Sequence, residues 1–305
     1  MQKLNRKLII IFCVFLALFL ALFIVVGCNV KESQYVNDTC TKIDDNSDYA
    51  TTPPYLRVFD TYDETIGFAA AQQQKDFLSK SKYFNNDLHS SPDFYFFEMI
   101  QQPLEYLGFY EGPNEFVKNY EIDQSMKNQT IHTSDGEKYL TPIYAIQLDE
   151  AAINHFQLMD KVIDGHLFEH NDFYYNTGNS NQIPCIMGNL YKLSGYSVNQ
   201  TITFNYLNRS VDLMIIGFFD EKTAIFSDYD NARLYLDNYI IMPSLNCTND
   251  PYDNEDDSFQ KKLYDQKNWG YLVNEGLNYV KLIEDIAKKY DLPFTTYDTQ
   301  ITKNE

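Results

Sequence analysis

Val211-Asp212-Leu213-Met214-Ile215-Ile216-Gly217-Phe218 is an apolar run of strand length that breaks at a Gly-Phe pair. A shorter run of the same kind, Ile183-Pro184-Cys185-Ile186-Met187-Gly188, precedes it, and Tyr239-Ile240-Ile241-Met242-Pro243 follows it. Ahead of both, after a strand that begins at Ile143, lies the turn Gly165-His166-Leu167-Phe168. Short apolar runs bounded by Gly, Pro and Asn read as strands. The segment 143–243 is therefore read as a β-rich unit.

Working outward, Lys127–Lys138 is polar around Asp135-Gly136, which predicts a hairpin turn. Upstream, Tyr55–Asp60 has strand length, and Asp63 opens a helical pattern running to about Phe84, with Ile66, Ala70, Phe77 and Leu78 near helical spacing. Phe94–Ile100 follows Ser-Ser-Pro and is aromatic, so it reads as one strand and completes a β-α-β unit. Downstream, Tyr279, Leu282, Ile283, Ile286 and Ala287 share one face of a helix from about Gly276 or Leu277 to Tyr290 that stops at Asp291-Leu292-Pro293. Strands alternating with helices, and a chain of 16% aromatic residues able to bury a sizeable core, predict an α+β fold with mixed sheets.

The order of these signals resembles the extracytoplasmic core domain of MacB-type and FtsX-like ABC transporter permeases, in the divergent form of Gram-positive bacteria. Gly165, Phe168 and Asp172 take the places of the family's Gly-x-x-Phe turn and following acidic residue, and Gln101-Gln102-Pro103 stands where a similar triplet occurs. Asn199 replaces a family glycine before Thr201-Ile202, and Asn tolerates positive φ better than most residues. The resemblance implies a two-lobed domain over 55–305, with the second lobe formed largely by about 143–243. It also implies a non-enzymatic role, in which the domain binds a partner or exported substrate and moves with membrane helices while another subunit hydrolyses ATP.

The N-terminus carries Lys3, Arg6 and Lys7, then an unbroken apolar run from Leu8 to Val26. At about 1.5 Å per residue this run is roughly 28 Å long, enough to cross a bilayer with the N-terminus inside. Val25-Val26-Gly27-Cys28 also resembles a lipobox, which makes Cys28 a lipidation candidate. Residues 1–28 are thus either an uncleaved anchor or a lipoprotein signal; both place the remainder on the outer face of the cell membrane. Residues 29–54, with Asp44-Asp45-Asn46-Ser47-Asp48 and Pro53-Pro54, form a polar linker. No second apolar run near 18 residues follows, so the family resemblance implies an accessory subunit or part of a split permease rather than a transporter by itself.

A net charge of -19 argues against a nucleic-acid partner and is compatible with cationic peptides. Chemistry is sparse. His166-Leu167-Phe168-Glu169-His170 spells H-x-x-E-H, which on a helix would place two zinc ligands and a general base for hydrolysis, yet Asp164-Gly165 and Asn171-Asp172 favour a turn there. Clustered oxygens at Asp228-Tyr229-Asp230-Asn231 and Asp250–Asp257 lack the glycine and distal glutamate of a calcium loop. The five cysteines show no C-x-x-C spacing, and Cys185 reads as a small buried strand residue. No phosphate-binding loop and no nucleophile elbow are present, so neither cofactor nor catalytic residue is expected. Tyr106, Phe109, Tyr110, Tyr174 and Tyr175 are aromatic loop residues of the kind enriched at interfaces.

Overall fold

The computed structural model describes residues 55–62, 67–74, 76–120, 125–133, 136–175, 182–226, 233–247, 258–273 and 279–298, all within the compact unit Asp45–Glu305. The apolar run Leu8–Val26, Cys28, the 29–54 linker, Asp63 and the two acidic stretches at 228–231 and 250–257 lie, wholly or mostly, outside them. Among the described residues no helix is long and apolar enough to cross a membrane.

The run that opened the sequence reading becomes the strand Arg209–Phe219 at the middle of a ten-stranded sheet. Gln182–Met187 lies parallel to it on one side, and Thr201–Tyr206 lies antiparallel on the other. Beyond Gln182–Met187 come Ile240–Pro243, Ala145–Leu148 and Met99–Ile100; beyond Thr201–Tyr206 come Leu104–Leu107, Gly136–Ile143 and Gln129–Thr133. Ile240–Pro243 is parallel to Ala145–Leu148 and antiparallel to Gln182–Met187, so the sheet is mixed as expected. The central strands are apolar at successive positions because both faces are covered. Leu213, Ile215, Cys185 and Met242 enter one core, whereas Ile216, Ile186, Ile241 and Ile146 enter the other.

A second, four-stranded antiparallel sheet runs in the order Phe294–Asp298, Tyr55–Asp60, Tyr271–Val273, Phe96–Phe97. The helices Phe77–Ser90 and Tyr279–Lys289 pack on it through Phe77, Phe84, Leu88, Ile283 and Ala287, with Val58, Leu272 and Phe294 beneath.

Three expectations change. The helix read over 63–84 is two pieces, Gly67–Gln72 and Phe77–Ser90, because Asp76 takes a left-handed φ of 65°. The second piece continues past Phe84 because Leu88 extends the same buried face. The strand read over Phe94–Ile100 is also split: Phe96–Phe97 pairs with the small sheet and Met99–Ile100 with the large one, so the chain crosses between sheets at Glu98. Finally, the large sheet is not confined to 143–243, since Leu104–Leu107 and the hairpin Gln129–Thr133/Gly136–Ile143 extend it.

The turn chemistry follows the sequence reading. Asn199 adopts φ 68° and donates its backbone N–H to Ile215 O at 2.8 Å. Gly165 has φ 80°, and a Cβ there would stand 2.0 Å from Ile216 O. A Cβ on Gly188 would stand 1.9 Å from Leu236 O. Phe168 is buried against Phe173, and the Asp172 side chain accepts from the Glu169 backbone at 2.7 Å, closing the turn.

Candidate functional site

Glu98 is the residue at which the chain changes sheets, and it is fully buried. A carboxylate there persists only with partners, because an unpaired buried charge costs several kcal/mol. Its partners come from four separate elements. Lys267, at the end of the helix Ser258–Lys267 and itself 1% exposed, places Nζ 2.6 Å from Glu98 Oε2. Ser244, just after the strand Ile240–Pro243, donates its hydroxyl to the same oxygen and accepts from Lys267 Nζ at 3.2 Å. Asn85 and His89, one helical turn apart on Phe77–Ser90, reach Glu98 Oε1 at 2.8 Å each. The Glu98 carbonyl accepts from Asp149 N at 3.3 Å, and Asp149 caps the helix Glu150–His155 by accepting from Ala152 N at 2.6 Å.

Electrostatics divide the two carboxylates. Burial pushes Glu98 upward, but the Lys267 charge, the His89 hydrogen bond and charge, and the Lys267 hydrogen bond together hold it down at about 2. Asp149 is pushed up to about 7, first by burial and then by the charge of Glu98, against the opposing charge of His89. Its Oδ2 has no hydrogen-bond partner among the described residues and lies 3.7 Å from His89 Nε2. Burial lowers the His89 pKa, but its hydrogen bond to Glu98 and the charges of Glu98 and Asp149 outweigh that and leave it raised.

His89, Glu98 and Asp149 offer ligand atoms within 4.8 Å of one another. Donor type alone would suit a metal, but the Lys267 ammonium already lies against Glu98 and would repel a cation. The arrangement is an ion-pair junction joining the two sheets.

The sequence-level candidates do not converge. His166 lies in an exposed extended turn with Nδ1 2.9 Å from the Leu167 carbonyl oxygen, while His170 starts a short 3₁₀ turn and pairs with Glu150 at 2.7 Å. Residues 166–169 are not helical, because Gly165 ends a strand with positive φ and Glu169 is the extended cap of the next turn. The two histidines therefore do not share a helix face, and the zinc-hydrolase motif loses its geometric basis. Cys185 is fully buried in its strand, as the sequence reading expects, and burial pushes its thiol well above the ordinary range. Tyr110 and Tyr175 are buried, whereas Phe109 and Tyr174 are exposed.

The sequence reading missed the junction. Its one visible signal was Glu98 itself, a charge inside the run Phe94–Ile100. Lys267 carries no such signal, since it sits in a polar helix.

No protein-family model matches the chain, and no curated protein matches it significantly. Among solved structures, the extracellular domain of the noncanonic ABC-type transporter YknZ from Gram-positive bacteria aligns with a TM-score of 0.40 and 9% identity, over 80% of this chain and 100% of that one. The periplasmic region of MacB from Actinobacillus actinomycetemcomitans aligns with a TM-score of 0.37 and 10% identity, over 82% of this chain and 91% of that one.

Proposed function

We propose that the chain is a non-enzymatic extracytoplasmic domain working with an ABC permease and its ATPase, held at the cell membrane by Leu8–Val26 or by lipid on Cys28. It binds a partner or exported substrate and passes movement to membrane helices. The observation that carries this reading is the pairing of Tyr55–Asp60 with Phe294–Asp298, antiparallel and in register from Leu56↔Asp298 to Asp60↔Phe294. The described chain enters and leaves at the same end of the small sheet. Force applied there loads that sheet first, and the Glu98–Lys267 junction transmits it to the large sheet.

A crosslinking pull-down of the tagged full-length chain from its native membrane tests the proposal. Recovery of a separate permease and ATPase is the expected result. If the chain comes down alone with lipid on Cys28, a free-standing lipoprotein that captures a ligand replaces it; the lipobox-like Val25-Val26-Gly27-Cys28 favours that second reading.

A further inference from the structure

The large sheet is incomplete at one seam. Thr201–Tyr206 and Leu104–Leu107 are neighbours, yet they pair only at Asn205↔Glu105. The reason the rest stays open can be read from the backbone. Leu207 and Asn208 form a two-residue turn with positive φ at both positions, so Tyr206 and Arg209 are the hydrogen-bonded pair that closes the hairpin. Alternation then sends the N–H and C=O of Phe204 and Ile202 toward Val211 and Leu213, and those of Asn205, Thr203 and Thr201 the other way. On the opposite strand, Glu105 faces Pro142, which has no N–H to give, and Pro142 O already accepts from Lys118 N at 2.9 Å. Glu105 and Leu107 therefore direct their backbone groups toward the seam. Asn205 and Glu105 meet there, but among the described residues no strand pairs with the outward edges at Thr203, Thr201 and Leu107.

The space between these edges is a groove of about 560 Å³ lined by Tyr106, Leu107, Phe109, Tyr110, Ile202 and Phe204, among others. Leu107 and Phe109 are 46% and 61% exposed at its mouth. The charged side chain in its lining, Glu111, is acidic. Outside the lining, Glu105 stands at the closed end and accepts from Asn205 Nδ2, and Asp212 accepts from Thr203 Oγ1 at 2.6 Å; the nearby cation Lys127 is bound to Gly112 O at 2.7 Å. The whole chain carries -19.

We propose that this groove receives an extended, basic segment of a partner polypeptide as an added strand, bonded to Thr201 and Thr203 on one edge and to Leu107 on the other. Backbone pairing supplies the attachment. Alternate apolar side chains of the incoming strand cover the aromatic floor, and its cationic side chains meet the acidic rim. This deepens the partner-binding reading above, and its test needs no transporter, so either can fail without the other.

The test uses full-length chain in nanodiscs, with empty nanodiscs as the blank, and a fluorescein-labelled octapeptide of alternating Lys and Val. Saturable binding is expected. Methylating alternate backbone nitrogens on either edge of the peptide should weaken binding by about tenfold or more, since an inserted strand bonds on both sides. An Asp/Val peptide should bind at least about tenfold more weakly. Phe109→Ala should weaken binding without moving the melting temperature. Thr203→Pro, which removes one outward-facing donor, should weaken it further if that variant folds. Equal binding of methylated and unmethylated peptides, equal binding of the Asp/Val peptide, or no saturation over the blank overturns the proposal.

Discussion

Lys267→Met tests the junction most directly. The substitution keeps an unbranched side chain of similar length in a site that is 1% exposed, so little cavity is created. It removes the 2.6 Å partner of a fully buried carboxylate. Removing one member of a buried pair costs about 3–5 kcal/mol, because the other is left uncompensated. Here Asn85, His89 and Ser244 still contact Glu98, which places the expected loss near 3 kcal/mol. For a domain of this size that corresponds to a fall of about 6–12 °C in melting temperature. Glu98→Gln in the same chain removes the carboxylate that Lys267 faces, and the double-mutant cycle should return a coupling of about 2 kcal/mol between the two positions. Calorimetric melts at pH 6, with urea midpoints as a second measure, provide the readout. If Lys267→Met shifts the melt by less than about 2 °C, or the coupling is below about 0.5 kcal/mol, the junction does not hold the sheets together and the argument fails.

The same cluster sets a pH dependence. Asp149 keeps its proton up to about pH 7 in the folded state against an ordinary 3.8, so its contribution is lost as pH rises between those values. His89, raised from 6.5, loses its contribution as pH climbs through its folded value, whereas Glu98, lowered from 4.5 to about 2, loses its own only as pH falls through that acid range. Melting temperature should therefore peak at about pH 4, around the ordinary carboxylate values of Asp149 and Glu98, and drop by about 5 °C or more by pH 8, and Asp149→Asn should flatten the drop; a maximum above about pH 6.5 would contradict the assignment. Gly165→Ala forces a Cβ against Ile216 O at positive φ and should cost more than about 2 kcal/mol in urea unfolding, well above a surface substitution. Asn199→Gly should be nearly neutral and Asn199→Val should cost about 1–2 kcal/mol, because φ 68° excludes the β-branched side chain; equal effects would show that the turn relaxes.

Much of this architecture was legible along the chain. Apolar runs such as Ile183–Met187 and Val211–Phe218 announce strands because covered faces demand apolar residues at successive positions. Asn199 and Gly165 mark turns because a positive φ is a local steric demand, whereas Gly188 is needed for the close approach of Leu236 O. The final helix was readable from its 3.6-residue stripe, in which Tyr279, Ile283 and Ala287 are buried and Leu282 and Ile286 pack beside them. Tertiary structure alone decided three things: that one aromatic run serves two sheets, that Glu98 and Lys267 pair across 169 residues, and that the seam beside Thr203 stays open. Local patterning reports which face of an element is covered. It does not report which distant element covers it, because strand partners and buried charge partners are selected by packing of the whole chain, and the low dielectric that makes the Glu98–Lys267 pair matter exists only once that packing has closed.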